Sequence, residues 1–237
     1  EHESGKKLHQ LIDAVCGHSL GEYTALCSVN SLSLLDTAKL LKTRGNAMQN
    51  STDSKDTKMS AVLGLDIIDV DKIIRDHFEN VLCEVANDNC PGQVVLSGLK
   101  TDVDKVTDVC LEKGARKIIE LNVSAPFHCS LMKKASEIME VELKNVNFKV
   151  PRSYFVCNYN AQHIKEVDKI KEYLVKQVTS RVRWRESLIN LHHYGVKKII
   201  EVGSGNVLTG LSKRMKLNFE NLNIESMVDI ENLIEGL

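Results

Sequence analysis

The chain has 237 residues, of which 43% are hydrophobic and 27% charged; its 31 Lys and Arg and 32 Asp and Glu give a formal net charge of −1. This composition suits one large globular domain, or a domain with a smaller one attached, and argues against a disordered or collagen-like chain. The near-neutral charge gives no general attraction to nucleic acid, and no apolar run reaches the roughly 18 residues that span a bilayer, so we expect neither nucleic acid nor membrane as a partner.

The cysteines and histidines indicate the compartment and the metal content. Seven cysteines contain no C-x-x-C pair, which favours free thiols in a reducing compartment over a disulfide framework. The eight histidines show no metal-ligand spacing, so no metal site is predicted. The polar first ten residues lack a signal peptide's apolar region, and we expect a soluble protein. The cytoplasm is one candidate compartment. The excess of lysine over arginine indicates a second, the matrix of a plastid, an apicoplast-like organelle or a mitochondrion.

The first predicted elements flank a glycine-containing turn. Leu11–Cys16 is a short apolar run that predicts a buried strand, and a helix is predicted from Glu22 onward. Apolar residues at helical spacing predict a second helix over Ser33–Met48. The polar stretch Gln49–Lys58 then predicts a linker or an exposed loop.

A compact unit follows at about 57–122. Its predicted elements are the strand Met59–Leu63, the helix Asp69–Phe78, the strands Leu82–Ala86 and Val94–Ser97, the helix Thr101–Lys113 and the strand Arg116–Leu121. This β-α-β-β-α-β order is typical of a ferredoxin-like subdomain. We interpret it as an insertion into a larger fold.

The larger fold continues over 123–237. Its predicted elements are the helix Ser130–Val146, the strand Ser153–Cys157, the helices Val167–Val178 and Trp184–Tyr194, the strand Lys197–Val202 and the helix Val207–Met215. Strands alternating with helices predict a mainly parallel sheet covered on both faces. The predicted fold class is therefore α/β, with a parallel-sheet core over 1–56 and 123–237 and the ferredoxin-like (βαββαβ) subdomain over 57–122.

The turn between the first strand and helix carries the strongest chemical signal. Gly17-His18-Ser19-Leu20-Gly21 fits G-x-S-x-G, the nucleophile elbow, in which glycines permit a tight turn and the serine hydroxyl is presented at the strand end. The N–H of Leu20 then lies at a helix N-terminus, where it can stabilise an oxyanion. An ordinary glycine-rich turn is the alternative interpretation.

A nucleophilic serine needs a base, and His128 is the best candidate. It follows Pro126 and directly precedes a predicted helix, whose N-terminus would keep the imidazole neutral. A polar loop histidine is the alternative. Arg44 borders the apolar stripe of its helix, and its anionic partner is either a structural Asp or Glu or a substrate carboxylate.

Several segments together resemble one enzyme family. Gly17–Leu26 (GHSLGEYTAL) closely resembles the active-site segment of malonyl-CoA:acyl carrier protein transacylases. Further segments resemble that family in the same order along the chain: Leu41–Gly45 with Met48-Gln49, Asn87–Val95, Val123–Met132, Val182-x-Trp184 and Glu201–Leu211. The resemblance implies a hydrolase-like α/β core with a ferredoxin-like subdomain.

The resemblance also implies a role for each matching residue. Ser19 would be the nucleophile and His128 its general base. Arg44 would bind the free carboxylate of the malonyl group. Leu20 would supply one oxyanion N–H, and the backbone carbonyl of Gln177 would orient the histidine. His18 belongs to the motif, and we expect a structural role for it.

The implied reaction is ping-pong acyl transfer from malonyl-CoA to the phosphopantetheine thiol of an acyl carrier protein, by a monomer with no bound cofactor. Phe127 resembles family members that prefer malonyl over α-branched groups. The family's Pro-Gly-Gln-Gly-x-Gln segment, which gives a second oxyanion donor, does not occur before Ser19. We therefore expect a core without its N-terminal part. Candidate carrier-protein contacts are Arg181, Arg183, Arg185, Lys213, Arg214 and Lys216.

Other functions remain open at this stage. A serine esterase or thioesterase would use the same elbow but would need a late histidine, such as His192 or His193, and would leave Arg44 without a role. A catalytically silent scaffold that binds a carrier protein is a third possibility. The combination of Ser19, Arg44 and His128 argues against it.

Overall fold

The computed structural model describes residue 5, residues 7–52 and residues 56–235. The strands are β1 (Ala14–Val15), β2 (Thr57–Leu63), β3 (Cys83–Cys90), β4 (Gln93–Leu99), β5 (Lys117–Glu120), β6 (Tyr154–Phe155), β7 (Lys198–Val202) and β8 (Glu220–Ile224). The helices are α1 (Leu20–Ser28), α2 (Leu34–Gln49), α3 (Ile67–His77), α4 (Lys100–Glu112), α5 (Lys133–Lys144), α6 (Val167–Val178), α7 (Trp184–Tyr194), α8 (Val207–Arg214) and α9 (Met227–Glu235). Parallel and antiparallel sheets are both present, as in a mixed α/β protein.

A four-stranded sheet occupies the segment that the sequence predicts as a compact unit. Its strand order is β3-β4-β2-β5, and every neighbouring pair is antiparallel. Buried Val70 of α3 and Val103 of α4 belong to the apolar cluster under this sheet. The largest boundary difference lies in β3, which continues to Cys90, because bulges let it keep pairing past Ala86.

The other strands do not form the mainly parallel sheet that the sequence predicts. Among the described residues they form two separate pairs, β1 with β6 and β7 with β8, each parallel. The predicted strands at 11–16 and 153–157 shrink to two residues each, because an apolar run becomes a strand only where a neighbour accepts its hydrogen bonds. Val15 and Phe155 face each other in this short ladder.

A buried apolar cluster joins the helices that carry the candidate site. It includes Tyr23 of α1, Leu40 of α2, Met139 of α5 and Leu174 of α6, all at most 2% exposed. Phe155 of β6 belongs to the same cluster. This packing fixes α1, α2 and α6 against one another, so that residues 19, 44 and 177 converge although they lie far apart in sequence.

Several helical boundaries differ from the predictions. The predicted helix Ser130–Val146 begins as a 3₁₀ turn over Ser130–Met132 before α5. α2 extends through Gln49 into the predicted linker, β2 begins at Thr57, and residues 53–55 of that linker lie outside the described residues.

β8 and α9 are not among the predicted elements. None of the helices in the described ranges combines the length and apolarity needed to cross a bilayer.

Candidate active site

The turn between β1 and α1 has the backbone of a strained elbow. Ser19 has φ 53° and ψ −101°, a region that residues with a side chain rarely adopt. A Cβ on Gly17 would lie 2.0 Å from the carbonyl carbon of Gly21, whereas a Cβ on Gly21 would meet nothing within 4 Å. Close approach within the turn therefore requires glycine at position 17 but not at position 21.

This asymmetry predicts unequal effects of two alanine substitutions. Gly17→Ala should destabilise the fold by about 1–3 kcal/mol, because the new methyl group cannot fit without moving the turn. Gly21→Ala is the matched control; since Gly21 lies inside α1, this change should be neutral or stabilise by up to about 1 kcal/mol. Urea unfolding of both variants measures the difference. Equal destabilisation would contradict the steric argument.

Ser19 and His128 form a hydrogen-bonded dyad. Ser19 Oγ lies 2.7 Å from His128 Nε2, and His128 Nδ1 lies 2.8 Å from the backbone oxygen of Gln177. Because a carbonyl only accepts, Nδ1 carries the proton, and Nε2 is free to accept the serine proton. The dyad therefore has the tautomer that a general base requires.

The environment keeps this imidazole neutral. His128 is 4% exposed, and burial lowers its pKa to about 3, with the Arg44 cation lowering it further in the same direction. The sequence-based explanation invoked a helix N-terminus directly after the histidine; that helical segment begins as the 3₁₀ turn Ser130–Met132 and continues into α5. Burial is the larger cause.

Arg44 lies beside the nucleophile. Its Nη2 donates to Ser19 Oγ at 2.9 Å and to Gln177 Oε1 at 3.0 Å, and its guanidinium carbon lies 5.8 Å from the centre of the Tyr23 ring. The side chain is 6% exposed, and its Nε has no acceptor. Among the described residues no carboxylate lies within ion-pair distance of it, although the buried Glu22 carboxylate interacts with it electrostatically at longer range.

Two site residues were missed by sequence reasoning. Asn158 is fully buried; its Oδ1 accepts from the backbone N–H of Ser19 at 2.7 Å and its Nδ2 donates to the oxygen of Gly17 at 2.7 Å. Glu22 is 1% exposed and its Oε1 accepts from the N–H of Asn158 at 3.0 Å. The available signals were a polar residue just past a buried strand and an acidic residue directly after the elbow motif.

The remaining predicted residues lie around the dyad. Leu20 begins α1, so its N–H has no acceptor within the helix. Phe127 is partly buried and packs against two apolar clusters. His18 Nε2 lies 2.9 Å from Asn89 Oδ1, and its ring centre is 5.5 Å from that of Trp184, contacts that suit a structural role.

The candidate surface residues divide into arginines engaged within the chain and a second, exposed group. Arg181 binds Asp71 through Nη2 at 2.7 and 3.0 Å, and Arg185 binds buried Asp88. Arg183 contacts Glu186 and the oxygen of Tyr159. These arginines are thus engaged within the chain. The exposed candidates are Lys213, Arg214 and Lys216, of which Arg214 contacts Gln93.

Neither His192 nor His193 lies in the place of the base, and the described residues hold no cluster of metal ligands. Ser19 Oγ contacts His128, whereas His192 packs its ring 5.7 Å from Phe219 and His193 is exposed. In the part of the chain that the structure describes, no group of three or more His, Cys, Asp or Glu side chains could hold a metal ion. All seven cysteines are free.

Comparisons with known proteins point to one family. The acyl transferase domain model matches residues 10–225. A malonyl CoA-acyl carrier protein transacylase of Haemophilus influenzae is 34% identical over 95% of this chain and 72% of its own length. The crystal structure of an acyl-carrier-protein-S-malonyltransferase from Bartonella henselae is 40% identical, with a TM-score of 0.94 over 99% of this chain and 75% of that one. A malonyl-transacylase solved in complex with its type II PKS acyl-carrier protein is 31% identical, with a TM-score of 0.93 over 100% and 75%.

Proposed function

The chain belongs to the acyl transferase family, among the malonyl CoA-acyl carrier protein transacylases, and we propose that it moves a malonyl group from malonyl-CoA to the phosphopantetheine thiol of an acyl carrier protein, which supplies fatty-acid elongation. One observation carries this proposal. Ser19 Oγ lies between the His128 imidazole, at 2.7 Å, and the Arg44 guanidinium, at 2.9 Å. A nucleophile, its base and a cation for a substrate carboxylate thus meet at one atom.

The first half-reaction loads the enzyme. Ser19 Oγ attacks the thioester carbonyl of malonyl-CoA while His128 Nε2 takes the hydroxyl proton. The N–H of Leu20 stabilises the negative charge that develops on the carbonyl oxygen. The C–S bond then breaks, the proton passes from His128 to the CoA sulfur, and a malonyl-serine ester remains.

The second half-reaction unloads it. The carrier-protein thiol gives its proton to His128 and attacks the ester carbonyl. Collapse of the tetrahedral intermediate releases Ser19 with its proton restored and forms the malonyl thioester. The backbone oxygen of Gln177 holds Nδ1–H at 2.8 Å, so the same ring acts as base and then as acid in both halves.

Arg44 selects the acyl group. Its buried Nε has no acceptor and can donate to the free carboxylate of malonate, which a guanidinium binds with two parallel hydrogen bonds. An acetyl group has no carboxylate, so it would leave the buried Nε of this cation without an acceptor. Phe127, directly before His128, narrows the space for α-branched groups.

The finer architecture belongs to the same proposal. We assign a hydrolase-like core to 1–56 and 123–237 and a ferredoxin-like subdomain to 57–122, supported by the antiparallel order β3-β4-β2-β5.

The enzyme acts as a monomer without a bound cofactor, in a reducing cytoplasm or organelle matrix. An acidic carrier protein would bind the exposed basic side chains of Lys213, Arg214 and Lys216.

Incubation with radiolabelled malonyl-CoA tests the function. We expect a stable ester on Ser19 that is discharged by carrier-protein thiol and not by water, because ping-pong transfer needs a long-lived intermediate. Ser19→Ala serves as the control and should carry no label. Rapid release of free malonate without carrier protein would favour an esterase or thioesterase. Failure of the wild-type chain to label, with carrier protein still bound, would favour a silent scaffold.

A further inference from the structure

A buried carboxylate lies beneath the elbow and takes no part in the mechanism above. Glu22, on the first turn of α1, is 1% exposed. Its Oε1 accepts from the backbone N–H of Asn158 at 3.0 Å, and its Oε2 accepts from Gln177 Nε2. Among the described residues it forms no ion pair with a basic side chain. A buried carboxylate without a salt bridge is costly to retain, so it needs a reason.

We propose that Glu22 is a positioning residue, whose ionised carboxylate sets the orientation of the Gln177 side chain and of Asn158 and thereby holds Arg44 and the elbow in place for catalysis. This inference rests on the proposed function of the Ser19 site. Glu22 does not contact the reacting atoms; it acts through the two amides.

The first connection runs through Gln177 to Arg44. An amide can present either its NH₂ or its oxygen to a neighbour. Gln177 Nε2 faces Glu22 Oε2 and, at 3.0 Å, the backbone oxygen of Ser19. Both groups only accept, so they require the NH₂ end. Gln177 Oε1 is thereby turned toward Arg44 Nη2 at 3.0 Å, the same nitrogen that contacts Ser19 Oγ.

The second connection runs through Asn158 to both sides of the elbow. Glu22 fixes the backbone N–H of Asn158. The Asn158 side chain then accepts from Ser19 N–H and donates to the oxygen of Gly17, each at 2.7 Å. These bonds brace the strained backbone of Ser19.

The groups that face Glu22 do not titrate with it. They are Arg44 on α2, Tyr23 on α1, Cys16 before the elbow and Cys157 after β6. Burial raises the pKa of Cys16 and of Cys157 to about 12 and raises that of Tyr23 as well, and it lowers the pKa of the nearby His18 and His128. Burial raises the pKa of Glu22 to about 7, so Glu22 changes charge near neutral pH.

Glu22→Gln tests the proposal through ester formation on Ser19 with malonyl-CoA and with acetyl-CoA. At pH 8 we expect a 10- to 100-fold loss with malonyl-CoA and a smaller loss with acetyl-CoA, because Arg44 acts on the malonyl carboxylate. In the wild type the malonyl rate should fall as pH drops through about 7, since Glu22 becomes protonated, and this fall should be absent from the variant. Glu172→Gln, an exposed glutamate paired with Lys176 on α6, is the matched control and should behave as wild type.

The alternative outcomes are distinct. Equal losses with both donors, a retained acid limb and a lowered unfolding temperature would show that Glu22 is merely structural and overturn the proposal. Wild-type rates in the variant would overturn it too. If Glu22→Gln does not fold, Gln177→Met removes the connecting amide but keeps the backbone oxygen; an unchanged malonyl-over-acetyl preference in that variant overturns the proposal. Absence of any ester on wild-type Ser19 would instead contradict the proposed function.

Discussion

His128→Ala is expected to slow ester formation on Ser19 on the order of 1,000-fold, because a positioned general base contributes roughly 10²- to 10⁴-fold. Ser19 Oγ lies 2.7 Å from His128 Nε2, and the Arg44 Nη2 donor lies 2.9 Å from the same oxygen. A guanidinium cannot accept a proton, so it cannot replace the imidazole. Single-turnover labelling with malonyl-CoA measures the rate.

The controls separate lost chemistry from lost structure. His193→Ala removes an exposed histidine, one of the two that the esterase interpretation could use, and it should keep the wild-type rate. Added imidazole should partly restore His128→Ala, since the cavity left by the side chain adjoins Ser19. An unchanged rate in His128→Ala, or a large loss in His193→Ala, would refute the assignment of the base.

The fold was predictable wherever local pattern determines structure. The apolar stripes of α6 and α7 gave both helices with their observed ends, because amphipathic periodicity is read from neighbouring residues. β8 was missed because its ENLNI sequence carries three polar residues, and it becomes a strand only through pairing with β7. The length of β1 also depends on a distant partner, because only Ala14 and Val15 of the predicted strand Leu11–Cys16 pair with β6.

The candidate site divides in the same way. The elbow motif locates Ser19, and the resemblance locates Arg44 and His128, which the structure brings within hydrogen-bond distance of it. Asn158 has no motif of its own, and its bond to Ser19 joins residues 139 positions apart. Glu22 directly follows the motif, yet the sequence cannot say that both of its oxygens face buried amides. Such networks depend on packing and not on spacing.

Arg44→Ala is expected to weaken the preference for malonyl over acetyl. The rate of ester formation should fall roughly 10- to 100-fold more with malonyl-CoA than with acetyl-CoA, because a charged hydrogen bond to a buried partner contributes about 1.5–3 kcal/mol. Arg44 is 6% exposed and its Nε lacks an acceptor. A bound carboxylate would therefore accept a hydrogen bond from a nitrogen that is otherwise unsatisfied.

The companion variants decide what kind of contact Arg44 makes. Arg44→Lys keeps the charge but loses the planar fork, so its malonyl preference should lie between those of the wild type and Arg44→Ala. Arg75→Ala removes an exposed arginine on α3 and should change neither donor's rate. Equal losses with malonyl-CoA and acetyl-CoA would mean that Arg44 serves Ser19 and Gln177 alone, through its Nη2. A larger loss with malonyl-CoA requires that the guanidinium also binds the substrate carboxylate, since that group is the chemical difference between the two donors.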